Sequence, residues 1–195
     1  MINVQETNPF LLPFFKVPVQ NWEEKKPKLL GMVDWKNKDC MFNEYFTDYY
    51  LQFKNEDNRP KYIDDFKQLL KPELNAFVSK LEKSPLNRIQ KECTMRIQTL
   101  WAQKYWKDMS MEPHTHESTG YSAVLYAEFT RHHTPTEFFA PFKNMLDRMD
   151  YRHTPEIKEG EIIFFPSLLL HYSMPNKTKV PRTIFSFNCD IIPIR

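Results

Sequence analysis

At Cys93 the hydrophobic periodicity of the chain changes, and that switch limits the fold more than any other feature. Downstream, Cys93, Met95, Ile97 and Thr99 alternate with Thr94, Arg96, Gln98 and Leu100, a period of two that defines a strand with two unlike faces. Further strands are expected over YSAVLYAEF (121–129), EIIFFP (161–166), SLLLHY (167–172) and RTIFSFNCDI (182–191). Turn signals separate them at Ser118-Thr119-Gly120, Glu159-Gly160 and Met174-Pro175-Asn176. Several short strands at close spacing point to an all-β sandwich or barrel.

Upstream of Cys93 the repeat is helical. In YIDDFKQLLKPELNAFVSKLE (62–82) apolar residues fall at 63, 66, 70, 74, 77 and 81, steps of three and four that make one buried stripe. Pro72 must kink that stripe or begin a second helix, because it has no N–H to donate. A shorter helical stretch is expected near 21–33, where Pro27 is the unfavourable residue. The chain therefore reads as one domain over 1–195. A helix-bearing lead-in (1–92) packs outside one sheet of a β-rich core (93–195).

Composition removes several classes. With 41% hydrophobic and 15% aromatic residues in 195, the chain can bury a core and is not disordered. Its 3 glycines stand far apart at 31, 120 and 160, so no glycine-rich nucleotide loop exists. The 15 prolines are scattered, and none of them marks a linker. A net charge of +2, with acidic and basic residues interleaved as in KNEDNRPKYIDDFK (54–67), argues against nucleic acid as a partner. Cys40, Cys93 and Cys189 have no metal-type spacing and form an odd set. The first residues, MINVQETNPFLLPFF, lack a signal peptide's basic start and cleavage site. No apolar run approaches the roughly 20 residues that span a bilayer. A soluble cytoplasmic protein is expected, with no membrane partner; oligomeric state and substrate are not legible.

All six histidines lie between 114 and 171. His114 and His116 sit two apart, so extended backbone points both rings to one side, where they can converge on a metal ion. His171, which ends the apolar run Phe164–Leu170, is the best placed third ligand. A polar ring that follows directly on a buried strand needs a partner. His132, His133 and His153 read as hydrogen-bonded or surface residues. Eleven positions after His171, Arg182 opens the last strand. Alternation puts Arg182, Ile184, Ser186 and Asn188 on one face, and Thr183, Phe185 and Phe187 on the other. An inward arginine is an uncompensated buried charge unless an anion meets it. A guanidinium fork suits a carboxylate, and the Ser186 hydroxyl can add a donor. Metal-binding histidines followed by a strand-borne Arg and Ser describe a site for a metal-chelating dicarboxylate.

Five pieces of 101–190 together resemble the iron(II)/2-oxoglutarate-dependent oxygenase superfamily, in its small phage and bacterial branch related to prolyl hydroxylases. They are WAQKY (101–105), HTHES (114–118), YSAVLY (121–126), EGEIIFFPSLLLH (159–171) and RTIFSFN (182–188). The opening NPFLLPFFKVPV (8–19) is similar to that branch as well. The resemblance implies a double-stranded β-helix, a jelly roll of cupin-like form with the metal in its mouth. It implies iron(II) and 2-oxoglutarate as cofactors, and oxidative decarboxylation of the latter coupled to hydroxylation of a protein side chain or small molecule. His114 matches the first iron ligand and His171 the distal one. Arg182 matches the residue that holds the far carboxylate of 2-oxoglutarate, with Ser186 as helper. Tyr126 matches a strand position that reaches the cosubstrate. No catalytic residue beyond the metal ligands is implied.

One position departs from the superfamily's pattern. Two residues after its first histidine the superfamily carries a carboxylate, completing a two-His-one-carboxylate set; here His116 stands there. Either His116 is itself a ligand in a three-His site, or Glu117, Asp108 or Glu112 supplies the carboxylate, or strong iron binding is lost. The first is preferred, since His116 holds the right position and faces the right way. Two other classes stay in play: a three-His cupin-like dioxygenase without 2-oxoglutarate, and a non-catalytic jelly-roll module. The segment 130–158 is expected as a loop, either solvated or lining a substrate entrance. Trp101, Tyr105 and Trp106 are candidates for a pocket wall, with core packing the stronger reading for Trp101.

Overall fold

The computed structural model describes residues 12–42, 45–54, 59–84, 92–116 and 120–194. The lead-in supplies β1 (Phe15–Pro18), α1 (Trp22–Gly31), two short strands, β2 (Met41–Phe42) and β3 (Tyr45–Thr47), and then α2 (Ile63–Leu69) and α3 (Lys71–Glu82). Pro72 falls in the first turn of α3, where its missing N–H has no helical acceptor to lose. The six stripe residues Ile63, Phe66, Leu70, Leu74, Phe77 and Leu81 are all buried. Pro27 lies inside α1 on its exposed side, and Glu23, one turn earlier, is exposed too. The carbonyl that Pro27 leaves without a donor is therefore open to water. Among the described residues no helix is long and apolar enough to cross a membrane.

The second part supplies β4 (Cys93–Tyr105), β5 (Met111–His114), β6 (Tyr121–Glu128), β7 (Thr136–Lys143), β8 (Asp150–His153), β9 (Glu161–Pro166), β10 (His171–Ser173) and β11 (Arg182–Pro193). Two antiparallel sheets result, a larger one in the order β1-β9-β6-β11-β4-β3-β2 and a smaller one in the order β5-β10-β7-β8. The central strands of the larger sheet are buried on both faces, which explains their nearly continuous apolar runs. Ala123, Leu125, Ile162, Phe164, Phe185 and Phe187 form one core with the helices. There Phe77 of α3 stacks on Phe164 with ring centroids 3.9 Å apart. Val124, Tyr126, Ile163, Phe165 and Ile184 form the other core with Phe138 of the smaller sheet.

Three expectations need correction. Residues 167–170 belong to a turn and not to a strand: β10 begins only at His171, and Leu168 is 70% exposed. The segment 130–158 is no loop, because it carries the β7–β8 hairpin, half of the smaller sheet. Third, the alternation in β4 breaks. The β4–β11 register skips at Gln98, with Asn188 opposite Thr99 and Cys189 opposite Ile97. A bulge of one residue reverses which parity faces which side. Ile97 and Leu100 therefore share the helix-side core, although strict alternation assigns them opposite faces.

The only left-handed glycine among the described residues is Gly160, at φ 77°. It donates to Tyr126 O and accepts from Val19 N–H, both at 2.8 Å, so it ties β1 and β6 together at the start of β9. A Cβ there would lie 2.8 Å from the Trp22 ring. Gly160→Ala combines left-handed strain of roughly 1–2 kcal/mol with overpacking of roughly 1–3 kcal/mol. The expected result is a lowered denaturant midpoint at unchanged slope in an equilibrium unfolding curve.

Candidate metal centre

β5 and β10 lie side by side with His114 directly opposite His171. His116 follows just past the end of β5, and its N–H donates to Ser167 O at 2.9 Å. The three rings face one another, with centroids 4.4 Å apart for His114–His171, 5.0 Å for His114–His116 and 5.2 Å for His116–His171. One ligand atom from each lies within 4.8 Å of the others, the single such group of His, Cys, Asp or Glu among the described residues. Asp108 and Glu112 do not join it: the Asp108 carboxylate faces Lys107 and Lys177 at 3.7 and 3.9 Å, and Glu112 is exposed. Glu117 lies outside the described residues.

The local hydrogen bonds set the tautomers. His114 Nδ1 donates to Glu112 O and His171 Nδ1 to Leu169 O, both at 2.8 Å, which leaves each Nε2 lone pair available to a metal. Burial favours the neutral rings. His171, 4% exposed, is pushed down to about 3 by burial and by the neighbouring His114 and His116. His116 is pushed down to about 4 by burial and then by His114. His114 is lowered by burial, against the pull of the Glu112 carbonyl. Neutral imidazoles at ordinary pH are the form that binds metal.

The cavity beside the triad is lined by Trp101 and Gln103 of β4, Met111, Thr136, and Ile184, Ser186 and Asn188 of β11. Trp101 packs at 5.6 Å from the His116 ring and is buried, so it is both core and wall. Ser186 Oγ donates to Gln103 Oε1 at 3.2 Å, and Gln103 Nε2 meets the Met111 sulfur at 3.2 Å. Gln103, Met111 and Thr136 were not among the sequence candidates. Gln103 was detectable, because it lies midway between Trp101 and Tyr105 on one strand face.

Two residues before Ile184 on the same face, Arg182 is 1% exposed. It lies over the Tyr105 ring at 4.7 Å, donates to Thr134 O at 2.6 Å and to Met174 O at 2.8 Å, and leaves Nε buried without a partner. Among the described residues no acidic side chain forms an ion pair with it. Burial lowers its pKa, against the favourable influence of Tyr105 and Tyr126. Tyr126, buried beside it, donates from its hydroxyl to Thr136 Oγ1 at 3.0 Å and accepts from Thr136 N–H at 3.1 Å. The other histidines sit apart from the triad. His133 is held by Thr178 and Val180, His153 packs on Phe14, and His132 is exposed.

Residues 99–188 match the family model described as a 2OG-Fe(II) oxygenase. That segment holds the whole triad and the first part of β11, from Arg182 to Asn188. Over residues 99–188, a little under half of the chain, the sequence is similar to the iron(II)/2-oxoglutarate-dependent oxygenase superfamily. No curated protein matches the sequence. Solved structures share the fold at low identity. The 2-oxoglutarate-dependent carbocyclase SnoK of nogalamycin biosynthesis is 9% identical with TM-score 0.60, over 90% of this chain and 78% of that one. AviO1 from Streptomyces viridochromogenes is 11% identical with TM-score 0.58, over 91% and 89%. A Pseudomonas putida prolyl-4-hydroxylase is 12% identical with TM-score 0.54, over 93% and 92%.

Proposed function

We propose that this chain is an iron(II)/2-oxoglutarate-dependent dioxygenase that hydroxylates a protein side chain or a small molecule, with His114, His116 and His171 as its metal ligands. The observation that carries the reading is Arg182: a buried cation with a free Nε and no acidic partner among the described residues, on the strand face that lines the cavity beside the triad. A buried guanidinium without an anion is costly, and a dicarboxylate chelating the metal would supply one. The residues fit both cofactors. The triad offers three neutral imidazoles. Arg182 offers a fork for the distal carboxylate, Ser186 a nearby hydroxyl, and Tyr126 a buried phenol beside the guanidinium. The two facing sheets are read as a double-stranded β-helix, and the chain as one domain over 1–195.

Bound together, the metal and the 2-oxo acid would supply the oxidising chemistry: 2-oxoglutarate and dioxygen would give succinate and carbon dioxide, with the second oxygen atom passing to the substrate as a hydroxyl. The protein's share is positioning and electrostatics. The Glu112 and Leu169 carbonyls fix two rings. Arg182, buried beside the apolar cluster of Tyr105, Phe165 and Ile184, would neutralise the far end of the cosubstrate. Three neutral ligands leave the metal one positive charge richer than two histidines and a carboxylate would. Iron retention is accordingly expected to depend on the anionic cosubstrate.

Anaerobic iron(II) titration tests this by following the visible charge-transfer band of the chelate. The expected result is a band that requires both iron and 2-oxoglutarate, with iron held more tightly when 2-oxoglutarate is present. Iron binding without a band would favour a three-His dioxygenase that uses no 2-oxoglutarate. Absence of iron binding by the folded protein would favour a non-catalytic module.

A further inference from the structure

Two of the three rings take their orientation from backbone carbonyls, whereas His116 takes its own from a side chain. Asn188 Nδ2 lies 3.4 Å from His116 Nδ1 and 2.9 Å from Thr99 Oγ1. Asn188 Oδ1 lies 2.7 Å from Ser122 Oγ, which in turn lies 3.0 Å from Ser167 Oγ. The carboxamide is 8% exposed and has a polar neighbour on every side. Its position depends on the bulge at Gln98, which brings Thr99 opposite Asn188 and onto the face that looks into the cavity.

Resting on the reading of His116 as a ligand, we propose that Asn188 is the positioning residue for that ring. A neutral imidazole that binds metal through Nε2 carries its hydrogen on Nδ1, and that hydrogen needs an acceptor. Asn188 provides one when its carboxamide turns so that Oδ1 faces His116. The surroundings allow the exchange. Thr99 then donates its hydroxyl hydrogen to Oδ1, and Nδ2 donates to Ser122 Oγ. In either orientation the Ser122 and Ser167 hydroxyls can share one hydrogen bond, because each can donate or accept. Asn188 thereby selects the tautomer that presents Nε2 to the metal, the service that Glu112 O and Leu169 O perform for the other two rings.

Iron(II) affinity, measured anaerobically by competition with a chromophoric chelator and without cosubstrate, tests this in four proteins. Loss of an outer-shell partner typically weakens metal binding by roughly 10–100-fold, and that is expected for Asn188→Ala. Asn188→Asp is expected to bind iron at least as tightly as the parent, because a carboxylate accepts the Nδ1 hydrogen and both Thr99 and Ser122 can donate to it. A merely structural Asn188 would show no such rescue. If His116→Ala weakens binding but Asn188→Ala does not, the inference fails and the three-His reading stands. If His116→Ala leaves binding unchanged, the three-His reading itself fails. Should Asn188→Ala not fold, Asn188→Asp decides: affinity tenfold or more below the parent would overturn the proposal.

Discussion

Arg182→Met is expected to weaken 2-oxoglutarate binding by roughly 100-fold or more while leaving iron binding without cosubstrate nearly unchanged. The size of the effect follows from where the guanidinium sits. Removing one partner of a buried, hydrogen-bonded charge pair costs about 2–5 kcal/mol, and each 1.4 kcal/mol is a factor of ten in affinity. Methionine keeps much of the side-chain volume over Tyr105, so the substitution tests the charge and the fork more than the packing. It does leave Thr134 O and Met174 O without their donor. A melting curve of the cofactor-free protein must therefore accompany the binding measurement. Arg182→Lys should fall between parent and Met, since it restores a charge but not the planar fork. Isothermal titration with 2-oxoglutarate on the iron-loaded, oxygen-free protein reads all three. A dissociation constant for Arg182→Met within threefold of the parent would remove Arg182 from the cosubstrate site.

The second large effect belongs to the triad. His171→Ala is expected to lower iron(II) affinity by about 100-fold or more, beyond the 10–100-fold that follows loss of an outer-shell contact alone. His171 is the most buried of the three rings and faces both partners, so no neighbouring side chain can take its place. His153→Ala is the matched control: its ring packs on Phe14 outside the triad, and iron affinity should not change. His116→Asp adds a sharper comparison. It restores the carboxylate that the superfamily carries at this position and removes one unit of positive charge from the loaded site. Iron should then be held more tightly without 2-oxoglutarate, and the gain on adding 2-oxoglutarate should shrink. Equal iron affinities for the parent and His171→Ala would discard the triad as a metal site.

Much of this was legible in residue order because the relevant signals are local. The 63–81 stripe needs only helical geometry, and all six of its members are buried. The face shared by Arg182, Ile184, Ser186 and Asn188 needs only strand alternation, and three of the four line the cavity. What escaped depends on pairing between distant segments. The bulge at Gln98 exists only relative to β11, and nothing in CTMRIQTL marks it. The apolar run 164–170 hides where β10 starts, since Leu168 and Leu170 are as hydrophobic as the strand before them, although the end of β9 at Pro166 was legible. The β7–β8 hairpin hid because Pro141 interrupts its pattern, and because Phe142, Met145, Leu146 and Met149 are exposed where apolar residues suggest burial. The contact between Asn188 and His116 spans 72 positions, and only the folded sheet brings it about.

The two sheets differ in how much change they can absorb. The inner strands of the larger sheet are packed on both sides, with alternate residues in the helix-side core and in the core shared with the smaller sheet, so few positions there are free to change. The smaller sheet ends in a hairpin whose far half touches little else, with Leu146 97% exposed. Insertions, deletions and new side chains there leave the cores untouched. A lineage carrying this fold can therefore vary the exposed hairpin tip around Leu146 while β5 and β10, which carry His114 and His171, and β11, which carries Arg182, stay as they are. Innovation and inheritance are thus assigned to opposite edges of one four-stranded sheet.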